Sequence, residues 1–259
     1  MQINEHIHYV TTAYKDIFTT VYALKTEKGT ILFDAASYDS DIDEVIVPFL
    51  EDLGIAADDL KYVFISHNHA DHSGGLARLL ERYPQVCIVT GSQTIQQKYS
   101  GHPFLLAEEG MVLLDTFRVV AIPGHTIDSA ALLDVRTMTL ITGDCLQQQG
   151  IRGSGDWASN ISYPAEHLEA IEKVRDLGAK QIVTAHDYVP CGFHAEGDAV
   201  HTMLDESKES LMRLKALIEQ HPNESDEQIR VRFSGFENQL TINARVVAAM
   251  RAAIAAGTV

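Results

Sequence analysis

Between residues 67 and 72 the chain reads His-Asn-His-Ala-Asp-His, three imidazoles and a carboxylate in six consecutive positions, directly after the short strand pattern Lys61–Ser66. Side chains alternate along an extended strand, so His67 and His69 project to one side while Asn68 does not, and two imidazoles so placed can share an ion. Asp71 and His72 come a turn later, just before Ser73-Gly74-Gly75 opens the next helix. Nitrogen and oxygen donors together suit zinc, and they also suit iron or manganese. With 12 histidines in the chain a pair two residues apart is unremarkable, and His6 and His8 form such a pair that reads as ordinary. The case for a metal centre therefore rests on the rest of the chain.

Three more residues supply it. His125 stands in "IPGHTIDS" after the strand pattern Phe117–Ile122, Asp144 in "LITGDC" after Met138–Thr142, and His186 in "IVTAHDY" after Gln181–Thr184. A metal-capable side chain thus ends four separate strands, at the edge where a loop can present it. One such residue alone is more often structural. Four in the same arrangement point to a common centre.

The positioning elements follow from periodicity and turn chemistry. Val21–Leu24 and Thr30–Asp34 flank Glu27-Lys28-Gly29 as a hairpin. Ile42, Val45, Ile46, Phe49 and Leu53 fall at helical spacing, with Gly54 available as a cap. A helix over Gly75–Arg82 precedes the strand Val86–Thr90, and a further strand covers Ala130–Asp134. Pro164–Leu177 reads as a helix. Strands alternating with helices on both sides of the motif give an α/β layout with more than one sheet layer. Beyond residue 200, Leu204, Leu211, Leu214 and Ile218 mark a helix seam, Ser225-Asp226-Glu227-Gln228 has the form of a capping box, and Asn243–Ala256 is an alanine-rich helix. This divides the chain into residues 1–200, carrying the motifs, and a helical extension over 201–259.

The motifs resemble those of the metallo-β-lactamase superfamily. His67-Asn68-His69-Ala70-Asp71-His72 matches its H-x-H-x-D-H signature, His125, Asp144 and His186 match its later ligands in order, and Asp34 after "TILF" matches the aspartate that ends its early hairpin. The resemblance covers about residues 1–190. It implies an αββα sandwich with two divalent metal ions, zinc first and iron or manganese as alternatives. One ion is implied on His67, His69 and His125, the other on Asp71, His72 and His186, with Asp144 bridging. A hydroxide shared by the ions is the implied nucleophile, and Asp71 the catalytic residue that both ligates and orients it.

Departures from known branches narrow the reading. β-Lactamases of the main zinc class place cysteine at the bridging position, where Asp144 stands here; Cys145 is next and alternation turns it away. Flavodiiron proteins share the Asp71-His72-Ser73-Gly74 run but carry glutamate where His69 stands, and they need a flavodoxin domain. Glyoxalase II enzymes share the size and helical tail, yet their Gly-Cys-Gly-Arg loop is replaced by Gly150-Ile151-Arg152-Gly153-Ser154-Gly155, so a glutathione thioester is not favoured. The expectation is a dinuclear metallo-hydrolase of a small ester, thioester, lactone or related substrate. A mononuclear iron persulfide dioxygenase is the alternative, and a metal-binding sensor without turnover is a third reading. Loop position makes Arg152 a partner for a substrate carboxylate or phosphate and Trp157 an apolar wall, with Phe193 and His194 on the opposite side.

Bulk properties agree with a small-molecule enzyme. A formal charge of −16 repels polyanions, and affinity for nucleic acid depends on neutralising phosphates. No apolar stretch approaches the length of a membrane span, and no secretory signal is visible at Met1–His6. Cys87, Cys145 and Cys191 are odd in number and widely spaced, which fits the cytoplasm better than a disulfide framework. Self-association is left open.

Overall fold

The computed structural model describes residues 1–152, 159–234 and 244–259. The chain divides into two compact units, the first made of Met1–Ala121 with Ala130–Arg136 and the second of Ile122–Ser129 with Thr137–Val259.

In the first unit, β1 (Ile7–Tyr14), β2 (Ile17–Thr26) and β3 (Gly29–Phe33) form an antiparallel meander. Gly29, at φ +129°, closes the second hairpin where Thr26 pairs with it. A helical stretch follows, made of α1 (Asp39–Asp41), a π-helical turn (Ile42–Ile46) and α2 (Val47–Asp52). The spacing predicts one regular helix here. Pro48 near the start of α2 has no N–H to give, and the Val47 N–H reaches back to Ile42 O, which widens the turn. Then come β4 (Leu60–Ile65), α3 (Ala70–Ser73), α4 (Leu76–Arg82), β5 (Cys87–Thr90), α5 (Gln93–Lys98) and β6 (Phe104–Leu106). Strands β3 to β6 run parallel, and the sheet order is β1-β2-β3-β4-β5-β6.

Ile42, Ile46 and Leu50 meet Leu76, Leu79 and Leu80 over the sheet residues Leu32, Val63 and Ile88, all buried. Each such side chain contributes about 1.5–3 kcal/mol of hydrophobic stabilisation. Gly74 allows the chain between α3 and α4 to press against the loop after β3: a Cβ there would lie 2.1 Å from Ser37 O and 2.4 Å from Ala70 O. Ala35 N–H donates to His72 O at 2.7 Å, so the turn carrying His72 is tied to the loop that carries Asp34.

β7 (Val112–Leu113), β8 (Phe117–Ala121) and β9 (Ala130–Asp134) form an antiparallel set with Phe117, Val119, Leu132 and Leu133 fully buried. The second unit holds β10 (Thr139–Ile141), α6 (Pro164–Leu177), β11 (Gln181–Val183), β12 (His194–Glu196), α7 (Asp198–Gln220), α8 (Asp226–Ser234) and α9 (Ala244–Ala256). β11 is parallel to β10 and antiparallel to β12, and the second sheet has the order β12-β11-β10-β9-β8-β7. Two mixed sheets with flanking helices make this an α/β protein of the αββα sandwich type, with helices at its C-terminal end.

Those last helices share a core of their own. Leu211, Leu214 and Ile218 of α7 pack with Ile229, Val246, Val247 and Met250, and Ile161 joins them. The residue 200/201 boundary expected from composition falls inside the first turn of α7, because helix formation starts at Asp198 behind Gly197. The capping box is present: Gln228 N–H donates to Ser225 Oγ at 3.3 Å, and Ser225 N–H donates to Gln228 Oε1 at 2.8 Å. Among the described residues no helix is long and apolar enough to cross a membrane.

Candidate metal centre

β3 and β4 run side by side, and Asp34 N–H donates to Phe64 O at 2.8 Å where β3 ends. The next turn puts Asp34 at φ +68° and its carboxylate out of solvent. Oδ1 accepts Ser66 N–H at 2.8 Å; Oδ2 accepts Ser66 Oγ–H at 3.0 Å and faces His72 Nδ1 at 2.7 Å. Burial pushes the Asp34 carboxyl above its usual range, while His72 and Ser66 pull it back by favouring the charged form. Ser66 Oγ also lies 3.0 Å from His67 Nδ1. Its own proton goes to Asp34, so it accepts from His67, and both histidines then carry their proton on Nδ1 and present Nε2 as a lone pair.

Those lone pairs meet other donors. His67 Nε2 is 3.0 Å from His69 Nδ1, and His72 Nε2 is 3.3 Å from Asp71 Oδ2. Thr19 Oγ1 donates to the same Oδ2 at 3.3 Å. Asp71 and His72 belong to the helical turn α3, whose N-cap is His69, and both are buried. The His69 carbonyl accepts from His72 N–H at 3.1 Å, Ser73 N–H at 3.0 Å and Ser73 Oγ–H at 3.0 Å, which closes the turn.

His125 follows Gly124, whose φ of +149° brings the backbone against the buried ring of His167; a Cβ at Gly124 would lie 2.4 Å from His167 Nδ1. Burial, helped by the nearby His125, lowers the His167 pKa from 6.5 to about 3. His125 Nδ1 lies 2.6 Å from Asn160 O and 2.7 Å from Gln147 Nε2, while Asn160 N–H donates to Gln147 Oε1 at 2.5 Å. Asp144 splits its carboxylate: Oδ2 is 3.4 Å from His125 Nε2 and Oδ1 is 3.1 Å from His186 Nε2. Cys145 is buried with its thiol donating to Ile122 O at 2.9 Å, and burial holds the thiol far above its ordinary pKa. It is a packed core residue.

The seven expected ligands fall into two groups whose ligand atoms lie within 4.8 Å of one another: His67, His69, His125 and Asp144, and Asp71, His72, Asp144 and His186. The donor set fits a divalent cation. Bonds of about 2.0–2.1 Å in a tetrahedron put neighbouring ligand atoms about 3.3 Å apart. The contacts between His67 and His69, His72 and Asp71, and Asp144 with His125 and His186 run from 3.0 to 3.4 Å. Lone pairs held so close repel unless a cation or a proton lies between them.

The expected substrate contacts are less uniform. Arg152 Nε pairs with Asp187 Oδ2 at 3.1 Å and its Nη2 donates to Pro190 O at 3.4 Å, so its guanidinium braces the segment after His186. The bridge between Ile151 and Tyr188 joins the same two segments. Trp157 lies outside the described residues. β12 places His194 beside the end of β11, where Val183 pairs with it, and Thr184 N–H donates to the carbonyl of Phe193, just before β12, at 2.9 Å. Thr19, Ser66, Gln147 and Asn160 are not expected from the sequence. Only Ser66, adjacent to the motif, has any signal there.

Two mixed sheets with histidine and carboxylate ligands at their strand ends define a metal-binding αββα protein. Residues 14–186 match the family model described as the metallo-beta-lactamase superfamily, and the chain belongs to that superfamily. It is 31% identical over 157 residues to a hydroxyacylglutathione hydrolase of Crocosphaera subtropica, covering 60% of each chain. It is 26% identical to a beta-lactamase-like protein 2 homolog of Caenorhabditis elegans, covering 65% of this chain and 55% of that one. The match thus spans less than two thirds of either relative. A metallo-beta-lactamase family protein from Thermus thermophilus superposes with a TM-score of 0.65 at 17% identity, covering 98% of this chain and 95% of the other. The DIM-1 metallo-beta-lactamase superposes at 0.62 with 14% identity, over 81% and 96%. At such identities the likeness is one of fold.

Proposed function

We propose that the chain is a dinuclear metal-dependent hydrolase of a small ester, thioester, lactone or related acyl substrate. The observation that carries this reading is the division of the Asp144 carboxylate, one oxygen toward His125 and the other toward His186. A single ion has no need of a carboxylate that faces two imidazoles with different oxygens. His67, His69 and His125 would hold one ion, Asp71, His72 and His186 the other, with Asp144 between. Zinc is the first choice for this donor set, with iron or manganese as alternatives. Bound divalent ions supply water activation at neutral pH and polarisation of the electrophile.

The chain's own residues do the rest. Asp34 and Ser66 keep the Nδ1 protons on His72 and His67, so that both rings offer Nε2. Asp71, in the turn capped by His69, supplies a ligand oxygen and a carboxylate able to accept a proton from an attacking water and orient its lone pair. Phe193 and His194, beside the strand end that leads to His186, form one side of the substrate site, and Arg152, paired with Asp187, lies against the same segment. Arg152 acts there by bracing the Asp187–Pro190 segment. The likeness to a hydroxyacylglutathione hydrolase supports an acyl substrate.

The test is metal analysis beside assays. Protein prepared with added zinc or manganese should hold close to two ions per chain and hydrolyse members of a panel of acyl thioesters, p-nitrophenyl esters and lactones. A ratio fixed near one, with oxygen uptake on a persulfide and no hydrolysis, overturns the reading in favour of a dioxygenase. Full loading without turnover on any of them leaves a metal-binding protein that does no chemistry.

A further inference from the structure

Thr19 sits in β2 with no solvent exposure, where a strand core favours an apolar β-branched residue. Valine has nearly the same shape and buries no hydroxyl, and a buried hydroxyl costs about 1–3 kcal/mol unless it is bonded. The bond that Thr19 makes is to Asp71 Oδ2 at 3.3 Å, 52 residues away in the chain. Its backbone is held from the other side, since Thr12 pairs with Thr19 across β1 and β2 and donates its hydroxyl to Thr19 O at 3.4 Å. Branching at Cβ leaves the hydroxyl few directions to point.

We propose that Thr19 is a positioning residue that fixes how Asp71 ligates its ion. A carboxylate turns easily about its last bond and can bind through one oxygen or through both. Asp71 Oδ2 is the oxygen that lies 3.3 Å from His72 Nε2, a spacing suited to two ligands of one ion. The Thr19 hydroxyl donates to that same oxygen and pins it on the His72 side. Asp71 is thereby held to one-oxygen ligation and its second oxygen is kept off the ion. This rests on the proposal that Asp71, His72, Asp144 and His186 hold an ion.

Cobalt(II) tests it without reliance on turnover. Thr19→Val, Thr19→Ser and His72→Ala are titrated with cobalt, read by the visible absorption of the ion and by competition with a chromogenic chelator, with urea unfolding as a check on the fold. Thr19→Val should change the absorption envelope of the Asp71 site and weaken its affinity about 10-fold, as losing a hydrogen bond to a ligand does. The site containing His67 and His69 should keep its spectrum. Thr19→Ser, which restores the hydroxyl, should recover the spectrum and the affinity. A folded Thr19→Val with the wild-type spectrum and affinity at both sites overturns the proposal, provided that His72→Ala does alter them. His72→Ala with a wild-type spectrum shows that no ion is held there and overturns the underlying reading as well. Should Thr19→Val fail to fold, Thr19→Ala removes the same hydroxyl without the second methyl and is read by the same criteria.

Discussion

Replacing Asp34 by Asn should leave the fold standing and spoil the metal centre, and the direction of each proton shows why. The backbone at residue 34 is left-handed, φ +68°, a conformation that asparagine tolerates well. In the native chain Oδ1 accepts from Ser66 N–H while Oδ2 faces Ser66 Oγ and His72 Nδ1. An asparagine must keep its oxygen on Ser66 N–H, because the opposite flip sets two donors against each other. Its amide N–H₂ then lies where Oδ2 was and donates to His72 Nδ1 and Ser66 Oγ. His72 is left with its proton on Nε2, the atom 3.3 Å from Asp71 Oδ2. Ser66, now an acceptor of the amide, turns its own proton toward His67 Nδ1, 3.0 Å away, and pushes the His67 proton onto Nε2 as well. To ligate, each ring must give up that bond and face a donor, at about 1–3 kcal/mol per buried contact. Metal affinity should fall about 10- to 100-fold. Stability of the metal-free protein should change by only about 1–2 kcal/mol, since a buried charge is removed together with its charge-assisted bonds. Chelator competition with zinc or cobalt reads the first quantity and urea unfolding in the presence of a chelator reads the second. Wild-type affinity in a folded Asp34→Asn protein would refute the tautomer argument. A collapse of metal-free stability would show Asp34 to be a structural residue first.

Two other outcomes follow from the same contacts. Gly74→Ala should cost about 3 kcal/mol or more, because the new Cβ meets the backbone oxygens of Ser37 and Ala70, which cannot rotate away; a urea midpoint within error of wild type sinks it. His167 has its pKa lowered from 6.5 to about 3, so it is neutral when folded and gains a proton on unfolding in acid. Its contribution to stability is complete above pH 6.5 and declines as pH falls toward 3, by about 2 kcal/mol at pH 5. In chelator-treated protein His167→Leu should lose less stability than wild type between pH 7 and pH 5, and an equal loss in both would remove His167 from the account.

How much of this is legible in the sequence depends on whether the signal is local. Helix α6 is readable at Pro164–Leu177 because proline opens it and Gly178, at φ +65°, closes it. β1 is not: of Ile7–Tyr14 only Ile7 and Thr12 are buried, so no alternation shows, and its strand character comes from register with β2. The turn pattern over Ile42–Ile46 is hidden because apolar spacing does not distinguish a π turn from a regular one. At the site, His67, His69, His125, Asp144 and His186 are legible from their places after strands, and Asp34 only through the family resemblance. Asp71 and His72 are recognisable as ligands but not in their local structure, since a four-residue helix has too few positions to show a period. Thr19 and Gln147 are invisible. Their roles lie in contacts with residues 52 and 22 positions away, and nothing beside them in the chain announces it.

The short spacers between strands and ligands carry a consequence for how such a chain can change. β4 ends at Ile65 and His67 follows, β8 ends at Ala121 and His125 follows, β10 ends at Ile141 and Asp144 follows, and β11 ends at Val183 and His186 follows. Each donor's backbone therefore starts from the end of a strand. Downstream of Asp144 a change of length between Gln147 and Asn160 is tolerable only while both still reach His125 Nδ1. An insertion inside a spacer is different, because even one residue rotates the donor out of reach. Metal retention is thus written partly in the spacers and partly in the segment beyond Asp144, where Gln147 and Asn160 hold the ring of His125.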